Sequence, residues 1–477
     1  MTQQLARRGL YLSSQVATRV AAALLGVYAA RVLGPRQLGL WAVFQIVYLY
    51  TAQAHLGTVN AMLREVPIAR ARHNESRARE IVEEAWGFVW VSSIVTGLTT
   101  ASIVWLMFDR SEMNALLLSA ACGLLAFFQL HSVFFNFYCF SYSELAKLAI
   151  AILVQQLVTT VGCVMFLKSY GVTGYLAAMA VGFSAMWIAN LFGPLPRLRP
   201  RFSAREWRGL IVIGLPMLPG ALMLYFGTSL DRIFVASRLG VTALGVFTVA
   251  AFFFQFGAAL WDVAINTTYA KLASLYARAN SDPERLGTLI ADVLPGLLWL
   301  SSVVQGTLYI GAPLVIGVIL PQYVSSIIAA QILVLAINLF GAGQFLTSTL
   351  TVIGRERISV AVRLFGLLVR VVSLLIALAA SRSLAGIAAG ILVGQLGYAT
   401  LAFLVVRRFA RVPLKSAAVA LGAWGIGSGA AVLCSFVVRN SGHVAAALLY
   451  ACLFLSITLL IERASGSVSK FWSFATA

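Results

Sequence analysis

Charge is scarce along this chain of 477 residues. Only 11% of them are Asp, Glu, Lys or Arg, while 60% are hydrophobic. A soluble domain carries about 25% charged residues because its surface faces water. That deficit excludes a water-soluble globule and leaves an integral membrane protein. Cysteine is sparse as well. Cys122, Cys139, Cys163, Cys434 and Cys452 all lie in or at the ends of apolar stretches, and none forms a CxxC pair. Neither a disulfide framework nor a zinc site is therefore indicated. Lysine occurs only at Lys147, Lys168, Lys271, Lys415 and Lys470, never after a glycine, so there is no Walker A loop to hold ATP. HExxH and GxSxG are missing too. The acids, 16 in all, sit mostly in loops or at the ends of apolar runs, with no obvious acid/base pair. No cofactor is expected, and no enzyme activity.

What the chain has in abundance is apolar runs near 20 residues, the length that crosses a bilayer as a helix. Fourteen candidates lie at 10–30, 40–61, 85–108, 113–138, 147–167, 173–193, 210–231, 244–266, 288–310, 325–349, 359–380, 384–406, 416–438 and 443–461. Residues 1–30, with Arg7 and Arg8 ahead of an apolar run, have the outline of a secretory signal. Arg19 interrupts that run and many spans follow, which favours a first span instead.

Lys and Arg mark the cytoplasmic side. With the N-terminus inside, 25 basic residues fall on inside segments and eight on outside loops, which predicts both termini in the cytoplasm. The densest clusters are "REVPIARARHNESRAR" (64–79), "RLRPRFSAREWR" (197–208) and "RRFARVPLK" (407–415). The net charge of +19 then records topology and contact with anionic lipid headgroups rather than nucleic-acid binding. The outside loops are short, and the longest expected one, "GAPLVIGVILPQYV" (311–324), is uncharged.

Two short phrases recur. "LGPRQLGLWAV" (33–43) is echoed by "LGVTALGVFTV" (239–249), and "GYLAAMAVG" (174–182) by "GIAAGILVG" (386–394). Both pairs map span n onto span n+6, the parallel arrangement of a duplicated transporter. The expected organisation is an N-terminal lobe of six helices (1–200), a C-terminal lobe of six (201–412), and two extra helices (413–477).

"RVLGPRQLGLW" (31–41), "HLGTVNAMLREVP" (55–67), "GLPMLPG" (214–220) and "SLDRIFVASRLG" (229–240) resemble the polysaccharide transporter, or O-antigen flippase, family of the multidrug/oligosaccharidyl-lipid/polysaccharide exporter superfamily. The likeness extends over the chain in helix count and loop placement. It implies two six-helix bundles around a central cavity and a bacterial inner-membrane location. The implied cargo is a polyprenyl-pyrophosphate-linked oligosaccharide, with a glycan polymerase or export machinery as further partners.

Ionisable residues inside spans are the candidates for function. Arg19 shares a helical face with Tyr11 and Gln15 and is read as an arm for phosphate or acidic sugar, against the alternative of a structural ion pair. His55, in line with Gln45, Tyr48 and Ala52, is a candidate for proton coupling, against a packing role. Asp231 and Arg232 are adjacent near the outer end of span 7 and point about 100° apart, so they need not pair with each other; against interfacial anchoring, the resemblance implies a cavity role, with Arg232 binding cargo and Asp231 a coupling or ion site. Asp262, on one face with Gln255 and Asn266, is a candidate cation or proton site or a counter-charge to arginine. Arg370 has no carboxylate one turn away on its own helix and stands as a second anion arm. Gln129, Asn136, Gln155, Gln156, Gln305, Asn338 and Gln395 read as interhelical hydrogen-bond donors and acceptors rather than ligands. Two prolines and two glycines in "GLPMLPG" predict a bent span 7.

Two rival functions remain at this stage. A drug or cation antiporter of the same superfamily wants a carboxylate-lined cavity, whereas Arg19, His55, Arg232 and Arg370 outnumber Asp231 and Asp262. A polytopic glycan polymerase or glycosyltransferase wants a substantial loop outside the membrane.

Overall fold

The computed structural model describes residues 2–107, 115–192, 198–278 and 282–438, together with residues 452, 456 and 469. Among the described residues all regular structure is helical. In chain order the helices are α1 (Thr2–Thr51), α2 (Thr58–Ala71), α3 (Glu75–Met107), α4 (Ala115–Ser141), α5 (Leu145–Phe192), α6 (Ala204–Gly214), α7 (Leu218–Leu239), α8 (Val241–Arg278), α9 (Pro283–Ile319), α10 (Ile327–Leu335), α11 (Ile337–Val352), α12 (Glu356–Ala380), α13 (Leu384–Ala410) and α14 (Leu414–Val438). Nine helical stretches of the described residues are long and apolar enough to cross a membrane. The chain is a multi-pass membrane protein. It divides into two compact units, Met1–Ser229 and Leu230–Ala477.

At 50 residues α1 is far longer than one crossing needs, because it carries the first expected span and the first half of the second end to end. They are separated at Gly34, whose φ of 71° and ψ of 172° lie outside the helical region. Likewise α5 carries the fifth and sixth spans, separated at Gly171 with φ 55°. The echoed phrase now has a conformational reason. Its second residue is Gly34 in one copy and Gly240, with φ 89°, in the other, and both take up backbone angles that a β-carbon disfavours.

A second correspondence between the halves was not visible as a phrase. In the first unit a β-carbon at Gly87 would overlap the carbonyl oxygen of Arg201. One turn before it, the buried Glu83 carboxylate accepts Arg79 Nε at 2.9 Å and the Arg199 amide at 3.3 Å, with Arg201 Nε also at 2.9 Å. In the second unit a β-carbon at Gly287 would overlap the carbonyl oxygen of Ala410, and the neighbouring Glu284 pairs with Arg411. Each unit thus clasps the segment after its sixth span against the start of its third. The first clasp is threefold and centres on a buried carboxylate with half-exposed arginines; the second is exposed throughout, its partners 63% and 70% accessible. Glu83→Gln should therefore lower thermal stability in detergent by about 1.5–3 kcal/mol, the worth of hydrogen bonds to a charged group. Glu284→Gln should change it by under about 1 kcal/mol. Equal melting temperatures for the two variants would contradict this ranking.

The expected second span, 40–61, is not one helix. It stops at Thr51 and resumes at Thr58, because Leu56 (φ 45°) and Gly57 (φ 85°) adopt left-handed angles between them. The 311–324 stretch expected as a loop is also different. Its apolar residues extend α9 to Ile319, and the chain turns only at Pro321–Ser326, a short 3-10 segment. "GLPMLPG" does break its helix, with a 3-10 turn at Leu215–Met217 between α6 and α7. The fourteenth expected span, 443–461, lies outside the described residues apart from isolated positions.

Inside the units, small residues permit close packing where lipid offers no hydrophobic contrast. A β-carbon at Gly97 of α3 would stand 2.9 Å from the Gly123 carbonyl of α4. Tyr398 of α13 fits against Gly343 of α11 and Gly366 of α12, and its hydroxyl meets Thr347 Oγ1 at 2.9 Å. The first unit's core gathers Val59, Met62, Trp86, Phe134, Phe135 and Tyr138; the second gathers Trp261, Leu286, Val293, Phe345 and Val406. Three of the expected polar side chains join helices, while Gln156 Nε2 donates to Thr160 Oγ1 on its own helix. Asn338 accepts from Ser301 Oγ at 2.6 Å and donates to Ser302 Oγ at 2.9 Å. Gln305 Nε2 donates to Ser428 Oγ of α14 at 2.9 Å, and Gln129 Nε2 to the Tyr48 carbonyl at 3.0 Å.

Candidate functional site

Helix α7 passes from one unit into the other, and its second half carries Asp231 and Arg232. In the second unit the Asp231 carboxylate meets Arg370 of α12, 139 residues away in sequence. Arg370 Nε donates to Asp231 Oδ1 at 3.0 Å, and Arg370 Nη2 donates to Oδ2. This two-point pairing matches the planar guanidinium to the planar carboxylate. The side chains are only 13% and 11% exposed. Two features of the sequence permit it. Gly394 on α13 lets the backbone of α12 approach, since a β-carbon there would lie 2.9 Å from the Arg370 Cα. The i+1 offset turns Arg232 away from its neighbour onto another face of α7.

Arg232 is partly buried, and its charge also acts on Asp231. Two arginines thus act on one aspartate. Arg363, two turns before Arg370 on α12, acts electrostatically on Tyr398 of α13. The Asp231–Arg370 pairing was not legible beforehand, because nothing in local spacing links residues so far apart.

The other candidates fall as follows. Arg19 lies on an exposed face of α1, with Gln15 partly buried one turn before it, in the first unit. The Arg19 charge acts on Tyr11, whose ring packs edge-on against Phe140 with centroids 6.0 Å apart. His55 sits at the break between α1 and α2, 2% exposed, and its Nδ1 accepts the Gly57 amide at 3.1 Å. Its carbonyl accepts Thr58 Oγ1 at 2.8 Å, so the residue fastens the interruption from both ends. Asp262 and Gln255 share an exposed face of α8 in the second unit; the Asn266 side chain is not described. Asp231, Arg232 and Arg370 are brought together; Arg19, Gln15 and His55 belong to the first unit.

Sequence reasoning passed over His131, a fully buried residue of α4. Its ring stands among Trp90, Phe127 and Trp187, with centroids 4.7, 4.8 and 5.6 Å away, and Nε2 lies 3.2 Å from Ser93 Oγ. Among the described residues no three His, Cys, Asp or Glu side chains gather in a way that would hold a metal ion.

A family model described as polysaccharide biosynthesis protein matches residues 6–260. No curated protein sequence matches the chain. Among solved structures, the lipid II flippase MurJ in an inward closed conformation superposes with a TM-score of 0.71 at 11% identity, covering 95% of this chain and 99% of its own. An inward-facing multidrug resistance transporter of the MATE family, in the MOP superfamily, gives 0.65 at 16% identity, over 86% and 98%. A MOP superfamily transporter from Pyrococcus furiosus, described as having reversed binding-pocket polarity, gives 0.54 at 17% identity, over 86% and 94%. At these identities the likeness establishes the fold.

Proposed function

Because the chain belongs to the polysaccharide biosynthesis protein family, we propose that it is a flippase for a polyprenyl-pyrophosphate-linked oligosaccharide repeat unit. It moves this cargo across the bacterial inner membrane by alternating access, with both termini in the cytoplasm, and makes or breaks no covalent bond. The observation that supports this reading most is the largely buried Asp231–Arg370 pair inside the apolar spans, with the partly buried Arg232 beside it. A pyrophosphate headgroup cannot enter hydrocarbon without charge and hydration to replace its water. An ionised arginine within a span is costly, by about 2.5–3.5 kcal/mol on insertion scales, and is retained where it meets protein, water or an anion. Asp231 holds Arg370 when no cargo is present; a tetrahedral phosphate, which has more acceptor oxygens and can offer two of them to the guanidinium fork, competes for the same group. Arg19, on the first unit, is read as an arm for phosphate or acidic sugar in its own right. A drug-cation antiporter would instead want the carboxylates in excess.

The deciding experiment deletes the gene and assays the inner leaflet for trapped lipid-linked repeat units. They should accumulate, and the surface glycan should vanish. Surface glycan at its normal level would overturn the reading. Arg19→Ala should abolish export at unchanged membrane abundance; export at the wild-type level would assign Arg19 a structural role instead.

A further inference from the structure

The second unit contains a cavity of about 390 Å³ that none of these functional readings uses. Its walls are Ser237 and Arg238 near the end of α7, Leu375, Leu378 and Ala379 on the last turns of α12, and Arg382 in the turn that follows. Residues 375, 378 and 379 follow the i, i+3, i+4 pattern, so one face of α12 supplies an apolar wall. The two guanidiniums supply the polar part. Neither Arg238 nor Arg382 forms an ion pair with a described carboxylate.

The position is informative. Along α7 the cavity lies two helical turns beyond Asp231, about 10 Å by helix rise. Along α12 its wall lies five to nine residues beyond Arg370, about 8–14 Å by the same rise, and at the opposite end of that helix from Arg355 and Arg357. Its arginines are therefore on the side where basic residues are few. Each guanidinium offsets the negative end of a helix, which accounts for one charge at each terminus. It does not account for two unpaired cations facing one cavity, since like charges sharing a site repel. An anion between them removes that repulsion, and the planar forks suit phosphate oxygens. The volume falls in the range of small-ligand sites, about 300–1,000 Å³.

We propose that this cavity binds a phosphate ester attached to an apolar chain, with Arg238 and Arg382 on the phosphate and Leu375 and Leu378 against the first carbons. Two sources carry that chemistry: an anionic phospholipid headgroup, or the polyprenyl pyrophosphate of the cargo on its way out. The second source rests on the flippase reading; the site itself does not.

The test uses the purified full chain in nanodiscs of neutral phosphatidylcholine, with binding of three probes measured: phosphatidylglycerol, a polyprenyl pyrophosphate and inorganic pyrophosphate. Arg238→Gln with Arg382→Gln should weaken the lipid probes about tenfold or more. Each single variant should weaken them about threefold. The melting temperature should stay unchanged, because both side chains are exposed. Inorganic pyrophosphate should compete with the lipid probes in the wild type and not in the double variant. Arg238→Lys with Arg382→Lys should fall between, keeping charge and losing the fork. Phosphatidylglycerol binding without polyprenyl pyrophosphate binding upholds the site, identifies phospholipid as its ligand and counts against the cargo assignment. Equal binding of both lipid probes to wild type and double variant overturns the site, whatever the gene-deletion result.

Discussion

Asp231→Leu and Arg370→Met should each sharply reduce folded protein in the membrane, and the double variant should restore the protein without restoring export. Removing one partner leaves an uncompensated charge in a buried place, which costs about 3–5 kcal/mol. Replacing both by apolar side chains of similar volume is often neutral or stabilising, because two desolvation penalties disappear together. Abundance, read by quantitative immunoblot or fluorescence-detected chromatography, therefore reports the pairing. Export, read as surface glycan, reports the work done by the arginine. A double variant that exports at the wild-type rate would show that the pair only holds α7 to α12. Single variants as abundant as the wild type would show that the two-point bond seen between Arg370 and Asp231 does not matter to folding.

The second large effect is expected where the interrupted second span crosses the bend of the seventh. Gly57 and Gly214 meet backbone to backbone, so a β-carbon on either would overlap the main chain of the other. No side chain can swing aside there. Gly57 also has φ 85°, a conformation costing about 1–2 kcal/mol for an ordinary L-residue, and forced overpacking adds about 1–3 kcal/mol. Gly57→Ala should thus cost about 2–5 kcal/mol. Gly214→Ala, helical at φ −92°, should cost only the packing part. Thermal unfolding of the purified variants gives the order directly. If Gly214→Ala proves the more damaging, the left-handed backbone at Gly57 is not the governing strain.

Much of the fold was legible from apolar run length, because lipid leaves a chain this poor in charge no other spanning structure but helices. The bend at "GLPMLPG" was legible for the same kind of reason, since proline removes a hydrogen bond wherever it falls inside a helix. The interruption at Ala52–Gly57 was not, because hydropathy averages over a window and one left-handed glycine leaves the average unchanged. The 311–324 stretch misled in the opposite direction. It was expected outside only as the gap between two spans of standard length, yet α9 runs on through it, Pro313 included, to Ile319. At the candidate site the identities of Asp231, Arg232 and Arg370 were visible as charges in apolar surroundings. Their arrangement was not, since pairing over 139 residues is a property of packing. Arg238 and Arg382 were read only as topology markers, although two cations on the poorly charged side were the available signal.

The unequal clasps carry a consequence for ionic strength. At physiological salt the screening length is about 8 Å, so counter-ions reach the exposed Glu284–Arg411 bond and weaken it, while Glu83 is shielded from them by protein. Salt therefore acts on this duplicated architecture as an uneven lever. It slackens the connector leaving the second repeat more than the one leaving the first, whose half-exposed arginines surround a buried carboxylate.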